Sequence, residues 1–166
     1  MDDWPFKQTI CGLAELDCHS GAELTAVISI LDPGTPAPDA LAAFPRQDRL
    51  TLHFHDIDKP QPEMVAPDIG HLEAMLDFAR ERAGRADAHF LVHCHMGVSR
   101  SAAAAVALLL QARPDMEDGT ALAEVLKIRP QAWPNARMIA FADILLERDG
   151  RLIEALARFQ RARSPA

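Results

Sequence analysis

The sequence predicts an α/β single domain with a mainly parallel central sheet and helices on both faces. Three observations predict it. Strand-like runs come early and alternate, and helical patterns follow, the order that builds a mainly parallel sheet. The run at 88–92 is apolar without a period-two alternation, as in a strand covered on both sides. The chain has 166 residues and 49% hydrophobic content, which suits one domain with a full core. No repeat, low-complexity linker or composition break divides it, so residues 1–166 read as a single domain.

The elements follow from local pattern. Residues 9–13 and 24–31 read as the first two strands, the second rich in β-branched residues. Asp32-Pro33-Gly34-Thr35-Pro36 ends the second in a turn-rich loop. Residues 50–54 alternate loosely and give a third strand. Lys59 to Pro67 contains three prolines, so it is neither a central strand nor a helix interior; it reads as a stiff loop. Residues 68–83 place Ile69, Leu72, Leu76 and Ala79 on one helical face. After the strand at 88–92, residues 99–112 form a helix apolar nearly all round, hence central. Further helices are expected at 119–129, 135–147 and 151–162.

Composition limits the function classes. A net charge of −7 argues against nucleic acid as a partner. The acidic excess lies in residues 1–126, while 127–166 is net basic. Arg129 and Arg137 fall where they can line a cleft rim; Arg158, Arg161 and Arg163 read as a solvated helix surface. No apolar run approaches a membrane span. Met1-Asp2-Asp3-Trp4-Pro5 lacks the features of an export signal. Three cysteines, Cys11, Cys18 and Cys94, form no disulfide framework. The expectation is a cytoplasmic protein without membrane insertion, with Cys11 in the core and Cys18 in a loop. Neither a G-x-G-x-x-G nor a Walker pattern is present, so no nucleotide cofactor is expected.

The chemistry concentrates in Val92-His93-Cys94-His95-Met96-Gly97-Val98-Ser99-Arg100-Ser101. An apolar strand leads in and an alanine-rich helix leads out. Strand, tight loop, helix is the arrangement that binds phosphate at a helix N-terminus. His95, Met96, Gly97, Val98, Ser99 and Arg100 form the expected phosphate-binding loop, with backbone N–H groups turned inward as an anion nest. Arg100 brings a planar fork for two phosphate oxygens. A cysteine in such a field is held as the thiolate at neutral pH, so Cys94 is the candidate nucleophile. Attack on a phosphate ester gives a phosphocysteine, hydrolysed in a second step. Gly97 permits the tight loop. Ser101 is placed to bond the sulfur and stabilise it as a leaving group. His93, on the strand side, is expected to be buried and to support the loop. The side chains of His95 and Met96 should face the rim.

Such a transfer needs an acid for the leaving oxygen and then a base for water. Asp56 stands at the end of the third strand, where ligands bind in open α/β sheets. Asp58 is the alternative two residues on, and Asp56 is favoured because it is nearer the strand end. A competing arrangement would bring His53, His55, His93, Cys94 and His95 together with Asp56 as metal ligands. The strand alternation and the position of the cysteine argue against it, so no metal is expected.

The segment H-C-x-x-G-x-S-R-S at 93–101 resembles the active-site signature of the cysteine-dependent protein tyrosine phosphatases, especially the compact dual-specificity type. Arg129-Pro130, Pro134-Asn135 and Met138 resemble the segment those domains carry downstream. The resemblance implies a phosphomonoester hydrolase with Cys94 as nucleophile, Arg100 as phosphate binder, Asp56 as acid and base, and Ser101 assisting. His93 and Asn135 are supporting residues. It implies a phosphorylated protein or peptide as substrate, phosphotyrosine first and phosphoserine or phosphothreonine second, and no cofactor. Three alternatives stay open. A phosphoinositide or other small phosphate ester is one, although lysines common in such loops are missing here. Rhodanese-like or arsenate-reductase-like sulfur chemistry is another, which would not need Asp56. A non-catalytic phosphate-binding module is the third.

Overall fold

The computed structural model describes residues 4–20 and 22–165, with no side-chain description for Gln47. The Met1–Asp3 stretch read above for export features lies outside these residues. Four strands form one sheet: β1 (Lys7–Cys11), β2 (Ala26–Leu31), β3 (Arg49–His53) and β4 (His89–His93), in the order β1-β4-β2-β3. Every pairing is parallel. Five α-helices are present among the described residues: α1 (Ile69–Arg80), α2 (Arg100–Ala112), α3 (Asp118–Ile128), α4 (Ala136–Leu145) and α5 (Arg151–Arg163). Each expected element is present, with ends shifted by a few residues. Helix α1 stops three residues earlier than expected, and the first strand starts and stops two residues earlier, so that Gly12 and Leu13 belong to the turn that follows.

Both sheet faces are covered, but unequally. Ile10, Ile28, Ile30, Phe90 and Val92 point to one side, where all five helices contribute to a single large core. The other side takes Cys11, Val27 and Leu91 with Leu16 and Leu41. Its cover is thin, built from 3-10 turns at Leu13–His19 and Asp39–Leu41. The alternation along β4 shows why the sequence pattern is continuous: its neighbours on opposite faces are both buried.

The helix α2 lies at the centre, against β1, β4, α1, α3 and α4. Its run Ala102–Ala105 is fully buried. Small side chains let five elements approach this helix closely, which fixes the position of its N-terminus. That N-terminus sits at the C-terminal end of β4, in the middle of the sheet. Two buried carboxylates tie α3, α4 and α5 together in the helical half. Asp118 pairs with Arg148, and Asp143 accepts from the N–H groups of Gly150 and Leu152. No helix among the described residues is long and apolar enough to cross a membrane.

Candidate active site

The loop between β4 and α2 is set almost entirely by its main chain. Five consecutive carbonyls, from His95 to Ser99, each accept a hydrogen bond from outside the loop. Leu13 N donates to His95 O at 3.0 Å, Trp133 N to Val98 O at 2.8 Å, and Asn135 N to Ser99 O at 3.2 Å. Arg129 donates to Met96 O at 3.1 Å through Nη2 and to Gly97 O at 2.9 Å through Nε. Carbonyls held outward turn the intervening N–H groups toward the loop's centre, the condition for an anion nest. Gly97 is in the left-handed region at φ 69°. A Cβ there would meet the Cys11 carbonyl carbon at 2.5 Å and Gly12 N at 2.6 Å. Both conformation and space therefore require glycine.

Cys94 lies at the mouth of this loop with 2% of its surface exposed. Its Sγ is 3.1 Å from Ser101 Oγ and accepts from Gly97 N at 3.3 Å. The first turn of α2 has no side-chain cap at Ser99. Its free N-terminal N–H groups and dipole thus favour negative charge beside the sulfur. Arg100 is 4% exposed, and its Nη1 donates to Asp32 Oδ1 at 2.7 Å and to Phe54 O at 2.6 Å. Its buried Nε has no partner among the described residues. One edge of the guanidinium is anchored to the ends of β2 and β3, and the other edge is uncommitted.

His93 is fully buried. Its Nε2 pairs with Ser29 Oγ at 2.6 Å across β4 and β2. Burial pushes its imidazole down to about 4, because the cation would be desolvated. A neutral ring therefore links the strand before the loop to its neighbour.

Asp56 follows β3 on an exposed arm. Its Oδ1 accepts from Ser99 Oγ at 2.7 Å and from Asn135 Nδ2 at 2.9 Å. Asn135 also donates to Ile57 O at 3.2 Å, while its Oδ1 caps α4 through Met138 N at 2.9 Å. An aspartate could cap this helix but could not donate to the arm, so the amide is needed. The base of the arm is closed by His55 and Val65: His55 N donates to Val65 O at 2.7 Å, and Val65 N to His55 Nδ1 at 2.9 Å. The stiffness expected from the prolines is reinforced by these bonds. A cavity of about 390 Å³ opens beside the arm, lined by Asp56, Asp58, Gln61, Ser99, Trp133 and Asn135 among others. A larger open groove of about 1220 Å³, with Phe6, Thr25 and His89 in its wall, lies at the opposite ends of the strands and away from the loop.

Solved structures similar to the chain carry this architecture. Human DUSP28 is 22% identical, with 85% of this chain and 92% of that chain covered and a TM-score of 0.62. The PTP-2 phosphatase of Cydia pomonella is 20% identical over 82% and 83%, with a TM-score of 0.66. PTPMT1, solved in complex with PI(5)P, is 18% identical over 92% and 94%, with a TM-score of 0.61. No family model matches the chain, nor does any curated protein sequence. The chain has the fold of the dual-specificity-type cysteine phosphatases. Its cysteine loop stands between a central strand and a central helix of that fold.

Within this phosphatase fold the expected residues are brought together as two groups that meet at Ser99. Cys94, Arg100, Ser101, Gly97 and His93 form the loop side; Asp56 and Asn135 form the arm. Asp58 lines the cavity but makes none of the contacts that fix Asp56. Met96 is 73% exposed at the rim, as expected, whereas His95 turns inward enough for its Nε2 to accept from Asp32 N at 3.0 Å. The histidines do not converge. His53 approaches Thr35 O, His55 serves Val65, His93 serves Ser29, and no group of three metal-type ligands occurs among the described residues. Cys11 is buried and Cys18 exposed, both free.

Two residues escaped the sequence reading. Asp32 anchors Arg100, yet it reads as the first residue of a proline-glycine turn. It stands at the C-terminal end of β2, and the strand-end position that favours Asp56 favours it equally. Glu15 binds Arg129 from a 3-10 turn, and no sequence pattern marks it.

Proposed function

We propose that this protein is a phosphomonoester hydrolase acting through a phosphocysteine. The observation that carries the reading is Cys94 Sγ at the mouth of a loop whose carbonyls all face outward, beside an arginine with one edge uncommitted. The Cys94 thiolate attacks phosphorus in line with the ester oxygen. The S–P bond forms as the P–O bond breaks, and Asp56 gives its proton to the departing oxygen. Both donors to Asp56 address Oδ1, which leaves Oδ2 as the oxygen that carries the proton. In the second step Asp56 takes a proton from water as its oxygen attacks phosphorus. Cys94 leaves as thiolate, stabilised by a hydrogen bond from Ser101, and inorganic phosphate is released. Loop N–H groups and the Nε/Nη2 edge of Arg100 hold the equatorial oxygens throughout, where charge builds in the transition state. These donors are all protein groups, so turnover is expected to survive a chelator.

Phosphotyrosine in a protein or peptide is the substrate class we favour, with phosphothreonine and phosphoserine slower. The side chains beside the arm include Trp133 and the carboxylates of Asp56 and Asp58, and no lysine or arginine lines that cavity. An aromatic ester fits such a wall better than a polyanionic inositol. The PI(5)P complex of PTPMT1 makes a lipid phosphate the competing reading. Measuring kcat/KM on matched phosphotyrosine, phosphothreonine and phosphoinositide substrates, with vanadate as inhibitor, tests both. Tyrosine phosphate should lead. Preference for the phosphoinositide would replace the substrate class and keep the cysteine mechanism, and a wild-type protein inert toward every ester would refute the mechanism.

A further inference from the structure

We infer that Arg129, clamped by Glu15, is a positioning residue that sets two peptide planes of the cysteine loop. Arg129 ends α3 and is 9% exposed. Its Nη1 and Nη2 each donate to a different oxygen of the Glu15 carboxylate at 2.6 Å. Glu15 is itself fixed, because its Oε1 also accepts from Gly12 N at 3.2 Å. Nη2 also donates to Met96 O, and Nε donates to Gly97 O. One side chain thus holds the carbonyls on both sides of the loop's glycine.

Glycine is the reason a holder is needed. Gly97 supplies the left-handed turn that the loop requires, but a residue without Cβ also resists peptide rotation least. Rotating the Met96–Gly97 plane would withdraw Gly97 N from Cys94 Sγ, to which it donates at 3.3 Å. Rotating the next plane would turn Val98 N out of the loop. A planar fork fixed at one edge by a carboxylate holds both planes with little loss of its own freedom. Hydrogen bonding to Arg129 holds the Glu15 carboxyl below its ordinary range, so the clamp stays ionised in mildly acidic solution.

The role rests on the phosphatase reading only for its turnover readout, so the test includes a binding measurement that does not. Wild type, Arg129→Met, Arg129→Lys, Glu15→Gln and the Glu15→Gln/Arg129→Met pair would be compared for vanadate affinity by calorimetry, for kcat and KM on an aryl phosphate, and for melting temperature. Arg129→Met should lose about 10–100-fold in vanadate affinity and a similar factor in kcat, since both depend on inward N–H groups, with KM changed less than about threefold. Lysine should recover part of the loss. Glu15→Gln should move both quantities the same way by less, and the double variant should be no worse than Arg129→Met, as for residues acting through one contact. A folded Arg129→Met with wild-type vanadate affinity overturns the proposal, as does a loss that follows melting temperature alone. If that variant does not fold, unchanged vanadate affinity in both Arg129→Lys and Glu15→Gln overturns it. A wild type that binds vanadate but hydrolyses no ester defeats the phosphatase reading, while the vanadate shifts still decide the clamp.

Discussion

The cysteine loop and the aspartate arm meet at Ser99, whose Oγ donates to Asp56 Oδ1 and whose carbonyl accepts from Asn135 N, but they are built by opposite means. The loop is a main-chain cradle: Cys94 and Arg100 are almost wholly covered, and its carbonyls are held from several separate segments of the fold, two of them by the Arg129 side chain. The arm is exposed and held by side chains, chiefly the Asn135 amide and the His55–Val65 closure. Under the proposed mechanism the difference separates two tasks. Binding an oxyanion asks for many weak dipoles frozen in place, which only a rigid backbone provides. Moving a proton asks for one oxygen at a chosen point, which two hydrogen bonds can set.

The loop should therefore fail completely where the arm fails by degrees. Cys94→Ser is expected to reduce turnover of an aryl phosphate on the order of 10⁵–10⁶-fold, the scale of a lost nucleophile, while vanadate still binds measurably to the loop. Arg100→Ala should lose both turnover and vanadate binding, because the Asp32 carboxylate is then left facing the site without its cation. Substantial turnover by the Cys94→Ser enzyme would remove the nucleophile assignment and with it the contrast.

On the arm, Asp56→Asn should lower kcat for alkyl phosphates by about 10²–10⁴-fold and matter much less for leaving groups that depart without a proton. The basic limb of the pH–rate profile should flatten. Asp58→Asn should stay within a few-fold of wild type, since Asp58 has none of the contacts that orient Asp56. The opposite result from the pair would place the acid two residues further along the arm.

Burial also makes the two regions respond differently to acid. The His93 imidazole is held down to about 4 from an ordinary 6.5, chiefly by desolvation. The unfolded chain takes up this proton as pH falls through 6.5, and the folded chain does not until about 4. Stability linked to His93 is thus fully present above the ordinary value and is lost as pH falls toward the folded one, on the order of 3 kcal/mol at most. Urea unfolding at about pH 7.5 and about pH 4.5, above that window and near its lower end, should show a smaller acid loss in His93→Asn than in wild type. An equal loss in both would mean that the ring is not desolvated as its position implies.

The same contrast governs what the sequence could tell. The loop was legible because its constraints are local: a short turn between a buried strand and an alanine-rich helix, a glycine that nothing else can replace, and a cysteine and arginine at fixed spacing. The sheet was legible because its central strands are apolar on both faces. The arm was legible only to a neighbourhood, since Asp56 and Asp58 look alike in sequence and only the folded chain shows which of them Asn135 and Ser99 hold. Asp32 and Glu15 were invisible for the same reason carried further. Each acts on an arginine far along the chain, and the pairing exists only after α2 and α3 have packed. Even the thin second face was hard to foresee, because 3-10 turns leave no lasting period in the sequence.

The smallest expected effect tests how the arm is held. Asn135 does two things at once, capping α4 through Oδ1 and reaching Asp56 and Ile57 through Nδ2. Asn135→Asp keeps an acceptor for the cap and loses the donor, and it also sets a second carboxylate against Asp56. Asn135→Ala loses both bonds, and Ser99→Ala removes the other donor to Asp56. Each lost bond is worth about 0.5–1.5 kcal/mol. Ser99→Ala should therefore lower kcat by roughly two- to tenfold, with a melting temperature near wild type. Asn135→Asp should cost kcat at least as much, with stability nearer wild type than in Asn135→Ala, where the cap is lost as well. None of these changes should weaken vanadate binding much, because the loop's N–H groups stay where main-chain bonds and Arg129 hold them. A drop in vanadate affinity as large as the drop in kcat would mean that the arm helps to shape the loop, and the two regions would then be one.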